Sequence, residues 1–237
     1  MATEFFKNFP KIQYKLNDGR IIYIKDFFRK SKIEQEAVYS IVDYTKYEIQ
    51  EGERPDIVAT KLYGNPDLHW IFFVVNEIEN YYDWHMDNQT FQNYLDKKYH
   101  GQFLVFDQST SVVSATSKYL LGEKITSTSG LGRIIEVDPT HKRLAVDVEK
   151  KFVANEAITG AVSEKSSTPA SVVDRLDGVY KYKNSDGIMR NSTDTGFSPV
   201  TFRDHEIEEN EAKRLIKIVR PELVDGIVRR FEKIMLS

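Results

Sequence analysis

Between Tyr47 and Asn76 the period of apolar and polar positions changes. Tyr47 and Ile49 alternate with polar neighbours, which predicts a short half-buried strand. Pro55-Asp56 then suits a first helical turn: a missing N–H costs nothing there, and a carboxylate meets the positive end of the helix dipole. Gly64 is placed to stop that helix. Asn65-Pro66-Asp67 restarts at once, with Asn as N-cap, Pro at the first helical position and Asp in the first turn. The expectation is a strand and two short helices within one small unit.

The second helix, expected over Pro66–Asn76, is apolar on two sides. Leu68, Ile71, Phe72 and Val75 form one stripe at the spacing i, i+3, i+4, i+7. Trp70, Phe73 and Val74 form another, nearly opposite. Leu68 and Phe72 are expected to serve the unit's own core. The other stripe has to meet either the rest of the chain or a different protein, because bulky apolar patches are uncommon on monomer surfaces.

Before this unit, Ile12, Tyr14 and Leu16 alternate with Lys11, Gln13 and Lys15, Asn17-Asp18-Gly19 is strong turn chemistry, and Ile22 and Ile24 follow. A hairpin with one buried face is expected. Phe5, Phe6 and Phe9 precede it as aromatic anchors. After the unit, Phe91, Tyr94 and Leu95 lie at helical spacing. From about residue 101 to 175 the texture turns to β-branched runs broken by Ser, Thr and Gly. Two stretches there, 119–126 and 152–159, share the order aromatic, apolar, x-Glu-x-Ile-Thr at an offset of 33 residues. Gly132–Pro139 and Arg143–Val148 suggest a hairpin between them with Pro139-Thr140-His141-Lys142 in its turn, and the two similar halves suggest a small barrel or sandwich. Residues 184–199 lack periodicity and read as a linker or long loop. Arg214–Arg220 reads as a strand. Pro221-Glu222 opens a terminal helix with Val224, Ile227, Val228, Phe231 and Met235 on one stripe and Arg229, Arg230 and Lys233 directed outward or toward an acidic partner.

Composition narrows the function. The 237 residues carry a net charge of −3, so no basic field steers a polyanion and no nucleic-acid partner is expected. Zero cysteines exclude thiol catalysis, cysteine-ligated metal and disulfides. The start lacks a basic region before a long apolar run, so no signal peptide is read, and the apolar run Trp70 to Val75 is too short to span a bilayer. The five histidines form no His-x-x-x-His or His-Glu-x-x-His pattern. Asp83-Trp84-His85-Met86-Asp87 is the nearest approach to a ligand cluster, and it is better read as a polar loop beside a buried Trp84 than as a metal site. Gly130-Leu131-Gly132 lacks the rest of a dinucleotide fingerprint, and neither a nucleophile elbow nor a phosphate-binding loop occurs. No enzymatic role and no cofactor are expected. Tyr81, Tyr82, Trp84, Tyr94 and Tyr99 are interleaved with Asp83, Asp87 and Asp96, unlike a nucleic-acid stacking groove.

Tyr47-x-Ile49, Gly52-Glu53, Ile57-Val58-Ala59, Leu62-Tyr63-Gly64, Leu68 and Asn76 together resemble a LysM module. Gly52–Ala59 with Tyr63–Pro66 and His69-Trp70 resembles, more specifically, the LysM-like core of a T4-like phage baseplate wedge family. Asn8–Ile12, Asp26–Arg29, the Trp84–Tyr99 stretch and the series from Glu206 to Phe231 extend that likeness over about 5–99 and 201–236. Asn80-Tyr81-Tyr82 and Trp84-His85-Met86 depart from the family's Asp-Pro-Tyr and Trp-Pro-Leu. The expected fold is therefore α+β: a hairpin arm over 1–45, a LysM-like core and following helix over 46–100, an inserted small β-domain over 101–175, and a linker with a strand–helix arm over 176–237. The resemblance implies a structural wedge subunit of a contractile tail, made in the host cytoplasm and present in the virion in six copies. Its implied partners are other wedge subunits, the sheath-initiating protein and the central hub, with no membrane partner. Candidate partner-binding residues are Trp70, Phe73, Val74, Phe5, Phe6, Phe9, Phe231, Arg229 and Arg230. The alternative is a LysM-type module binding N-acetylglucosamine polymers through loops around Glu51–Arg54 and Asn76–Ile78.

Overall fold

The computed structural model describes residues 9–26, 44–106, 119–191 and 195–236. The chain is mixed α+β and divides into two compact units. One runs to Asn88 and resumes at Asn210; the other comprises residues 89–209.

In the first unit, strand β1 (Lys11–Lys15) and β2 (Ile21–Lys25) form the expected antiparallel hairpin. Its turn is closed by the Leu16 and Gly19 backbone and by Asp18, which accepts from the Arg20 N–H at 3.0 Å. The expected buried face is formed in part: Ile12, Leu16 and Ile24 are half-buried, whereas Tyr14 and Ile22 are exposed.

Strand β3 (Tyr44–Glu48) leads into helix α1 (Pro55–Tyr63), which Gly64 ends in the left-handed conformation, its N–H donating to Thr60 O. Asn65 caps the next segment as expected, its side chain accepting from the Asp67 N–H. That segment is not one continuous α-helix. A 3-10 turn over Pro66–His69 passes into α2, Trp70–Val75. The sheet is completed by β14 (Leu215–Val219), which pairs antiparallel with β3 in the register Leu215↔Glu48 to Val219↔Tyr44. The strand that closes this strand–helix–helix arrangement thus arrives from the far end of the chain. Ile49, Ile216 and Ile218 pack with Val58, Ala59, Phe72 and Trp84 as one core. Tyr63 stacks on Phe72 at 5.4 Å, and its hydroxyl donates to Val219 O; burial pushes its pKa up to about 12.

In the second unit, helix α3 (Asn88–Lys98) leads into a seven-stranded antiparallel sheet. Its strands are β4 (Gln102–Val105), β5 (Lys124–Thr126), β6 (Leu131–Asp138), β7 (Arg143–Lys150), β8 (Ile158–Gly160), β9 (Ser166–Ser167) and β10 (Ser171–Asp174). The spatial order is β10-β4-β7-β6-β5-β8-β9. Leu104, Ile125, Ile134, Leu144, Val146 and Ile158 from five of these strands share one core with Phe106, Tyr119 and Phe152. A single sheet encloses that core, and register shifts in the β6–β7 pair add the local bend. Gly130 and Gly132 let Phe152 in, because a Cβ on Gly130 would sit 2.3 Å from its ring.

The two similar stretches seen in the sequence are structural equivalents. Gly122 and Asn155, at matching positions, both have positive φ (84° and 64°), a conformation that Gly and Asn adopt most readily. The glutamate that follows each reaches across to the other half. Glu123 accepts from the N–H groups of Val162 and Ser163, and Glu156 from the N–H of Ser129 and the hydroxyls of Ser127 and Ser129. Val162 and Ser129 are separated by the same 33 residues as the repeats. Each half therefore pins the turn that leaves the other's strand.

The stretch read as a linker holds structure. Strands β11 (Val179–Lys183), β12 (Met189–Arg190) and β13 (Ser198–Thr201) form a three-stranded sheet, followed by helix α4 (Phe202–Ala212). Phe202 packs against Tyr99, Phe103 and Tyr180 with ring centroids 5.1–5.7 Å apart. The Arg143 guanidinium lies 3.9 Å from the Phe103 ring and donates to Asp138 and Val179 O. Glu206 of α4 receives Lys98 Nζ and the Tyr99 hydroxyl at 2.7 and 2.6 Å. Burial alone would raise its pKa, but those two donors outweigh it and hold the carboxyl below its ordinary range. In the first unit again, a 3-10 turn at Pro221–Leu223 starts helix α5 (Val224–Leu236).

Candidate interface

The candidate partner residues fall into three places. Phe9, Trp70 and Phe231 come together inside the first unit. The Trp70 and Phe231 rings are 4.5 Å apart, and Phe9 and Phe231 are 6.5 Å apart. Val74 packs against this cluster, as do Tyr44, Leu68 and Val228. Phe73 turns the other way, edge-on to Trp84 at 6.1 Å and to His69 at 5.8 Å. Arg229 and Arg230 remain exposed on the outer side of α5. Phe5 and Phe6 lie outside the described residues.

Trp70 and Val74 are therefore covered from within the chain, by α5, whose Val224, Ile227 and Phe231 are buried, together with Phe9. The helix does not divide along the two expected stripes: Leu68, Ile71 and Val75 join Trp70 in this cluster, whereas Phe73 joins Phe72 on the Trp84 side. The apolar period of α5 was legible in the sequence, but its destination was not. A stripe specifies that something must cover it, and says nothing about which element does so.

Two asparagines do work that local sequence gave no reason to expect. The Asn76 side-chain amide donates to Phe72 O and Lys217 O and accepts from the Lys217 N–H, all at 2.8–2.9 Å. It stands in for a neighbouring strand along the outer edge of β14. Asn210 clamps Met86 on both sides, accepting from its N–H and donating to its carbonyl, while the Asn210 carbonyl meets His85 Nδ1. With Trp84 Nε1 donating to Glu53 O, the Asp83–Asp87 stretch is tied into the fold as a structural loop. Among the described residues, no group of three or more His, Asp and Glu side chains gathers to hold a metal ion. No described helix is long and apolar enough to cross a membrane.

The loop groups that the sugar-binding alternative would use are occupied within the chain. The Glu53 carboxylate accepts from the Tyr47 hydroxyl, the Gln50 N–H and Lys61 Nζ. Burial would raise its pKa, and these donors together lower it. Glu51 accepts from the Asn88 N–H, and the Ile78 N–H donates to Phe73 O.

Residues 4–114 match the family model described as base plate wedge protein 53. Over this segment the chain is similar to that family. The match takes in the hairpin, β3, both short helices, α3 and β4, whereas β14 and α5 lie beyond it. It supports a structural role in the phage baseplate, as a virion component that assembles with other baseplate proteins. It lends no support to a sugar-binding LysM reading. Among curated proteins, none matches the chain.

Proposed function

We propose that this protein is a non-enzymatic wedge subunit of a contractile phage tail, which joins neighbouring wedge components during baseplate assembly. The family match over residues 4–114 carries this reading. The engagement of buried polar side chains in fold-closing hydrogen bonds is consistent with it. Other wedge subunits, the sheath-initiating protein and the central hub are the partners we infer, with six copies per baseplate. The chain would be synthesised in the host cytoplasm. Burial of aromatic and aliphatic anchors would supply the binding free energy, and the exposed Arg229 and Arg230 of α5 would meet an acidic partner. We also read residues 101–175 as an insertion that adds surface to the wedge.

Coexpression with the structural proteins of the same phage tests this reading. Retention of one or more of them through affinity purification and gel filtration is the expected result. Charge reversal at Arg229→Glu and Arg230→Glu should weaken that retention and leave the melting temperature of the free chain unchanged. A chain that remains alone with every such protein would overturn the proposal, as would saturable binding of N-acetylglucosamine oligomers without any protein partner.

A further inference from the structure

The two edges of the β3–β14 sheet differ. Antiparallel strands alternate between residue pairs whose backbone groups bond each other and pairs whose backbone groups point outward. The Ile49 N–H donates to Arg214 O, which places Ile49, Tyr47 and Thr45 in pairs of the first kind. Lys46 and Lys217 are then an outward pair, and both backbone groups of Lys217 are taken by the Asn76 side chain. With the Tyr63 hydroxyl on Val219 O, side chains of the same chain close the β14 edge. The β3 edge has no such cover. There the N–H and carbonyl of Lys46 and the N–H of Glu48 meet no described residue, and Glu48 O is taken by the exposed Gln50 amide. An open edge of this kind takes up another strand.

The side chains say which strand. Lys46 and Lys217 stand directly opposite each other and are both exposed, a like-charge pair that costs stability. Glu48 is exposed on the same face, opposite Leu215, and neither it nor Lys46 forms an ion pair among the described residues. An incoming strand is therefore favoured when it sets a carboxylate against Lys46, a cation against Glu48 and an uncharged residue against Tyr47, which lies on the core face. Read antiparallel, that order is Lys46-Tyr47-Glu48 itself. Pairing Tyr47 with the Tyr47 of a second copy places each Lys46 against the other copy's Glu48. Those are also the positions whose backbone groups point outward on both strands, so one register satisfies charge and hydrogen bonding together.

We propose that the free chain pairs with a second copy of itself through the β3 edge, joining the two sheets into one four-stranded sheet about a two-fold axis. Such a contact closes on itself and does not propagate around a ring, so it belongs to the chain before assembly, where it shields the open edge from other strands. Sedimentation equilibrium of the full chain, with amide hydrogen exchange at matching concentrations, tests this. The expected mass rises with concentration from that of one chain to that of two, and exchange at the Lys46 and Glu48 amides slows in step. Exchange at Lys217, already held by Asn76, should stay constant. Lys46→Glu alone and Glu48→Lys alone should each raise the dimer dissociation constant about tenfold or more, since like charges then face each other, with the circular dichroism spectrum unchanged. The combined Lys46→Glu/Glu48→Lys protein keeps opposite charges facing and should dimerise again. The mass of one chain at every concentration overturns the proposal, as does a dimer insensitive to the single reversals. A combined variant that stays monomeric overturns it too, and so does dimerisation that leaves exchange at Lys46 and Glu48 unaltered.

Discussion

The first unit contains two sheets of the same size with opposite fates. β1–β2 and β3–β14 are both antiparallel pairs of five-residue strands. β3–β14 lays Tyr47, Ile49, Ile216 and Ile218 on the core made with α1 and α2, and its β14 edge is closed by Asn76 and Tyr63. β1–β2 has an equally regular apolar period, but Tyr14 and Ile22 of that face stay exposed. The difference teaches that alternation encodes a demand for burial, while the chain topology decides whether the demand is met within the molecule.

The comparison breaks most visibly at the covered sheet. Phe72→Ala, at a fully buried ring, should cost about 3–5 kcal/mol. Trp70→Ala should cost a similar amount, because Trp70 is packed on Phe231. Urea unfolding of both variants checks this. A Trp70→Ala protein as stable as the parent would return that ring to the list of partner anchors.

Acid should act on the same sheet. The folded-state pKa of Glu53 is depressed, so its contribution to stability is present above the ordinary glutamate range and is lost as pH falls through the folded value. Glu53→Gln should therefore lower stability at pH 7 and show a shallower loss between neutral and acidic pH than the parent. Parallel slopes would refute the assignment.

A smaller effect is expected at the β14 edge. Asn76→Ala removes two hydrogen bonds to Lys217 at a partly exposed position and should cost about 1 kcal/mol. Faster amide exchange at Lys217 would be its specific signature.

The hairpin sets the lower limit. Tyr14→Ser and Ile22→Ser should change the stability of the free chain by no more than about 0.5 kcal/mol, as at other exposed sites. A loss as large as that of Phe72→Ala would show that the hairpin face is covered within the chain.

Sequence alone determined the local elements wherever the physical cause is local. Asn17-Asp18-Gly19 set the turn, Gly64 the left-handed end of α1 and Asn65 the cap that follows. Each rests on backbone conformations or hydrogen bonds within a few residues, so neighbouring positions suffice to reveal it. The 33-residue likeness was also legible, although its reciprocal glutamate contacts were not. Residues 184–199 read as a linker because their strands are short and carry little periodicity. Only the tertiary structure decided that β14 closes the sheet begun by β3, that α5 covers Trp70, and that Asn76 and Asn210 act as backbone clamps across more than a hundred residues. Apolar side chains and amides have no long-range address: burial is non-directional, and a hydrogen-bonding side chain accepts whichever backbone the topology delivers.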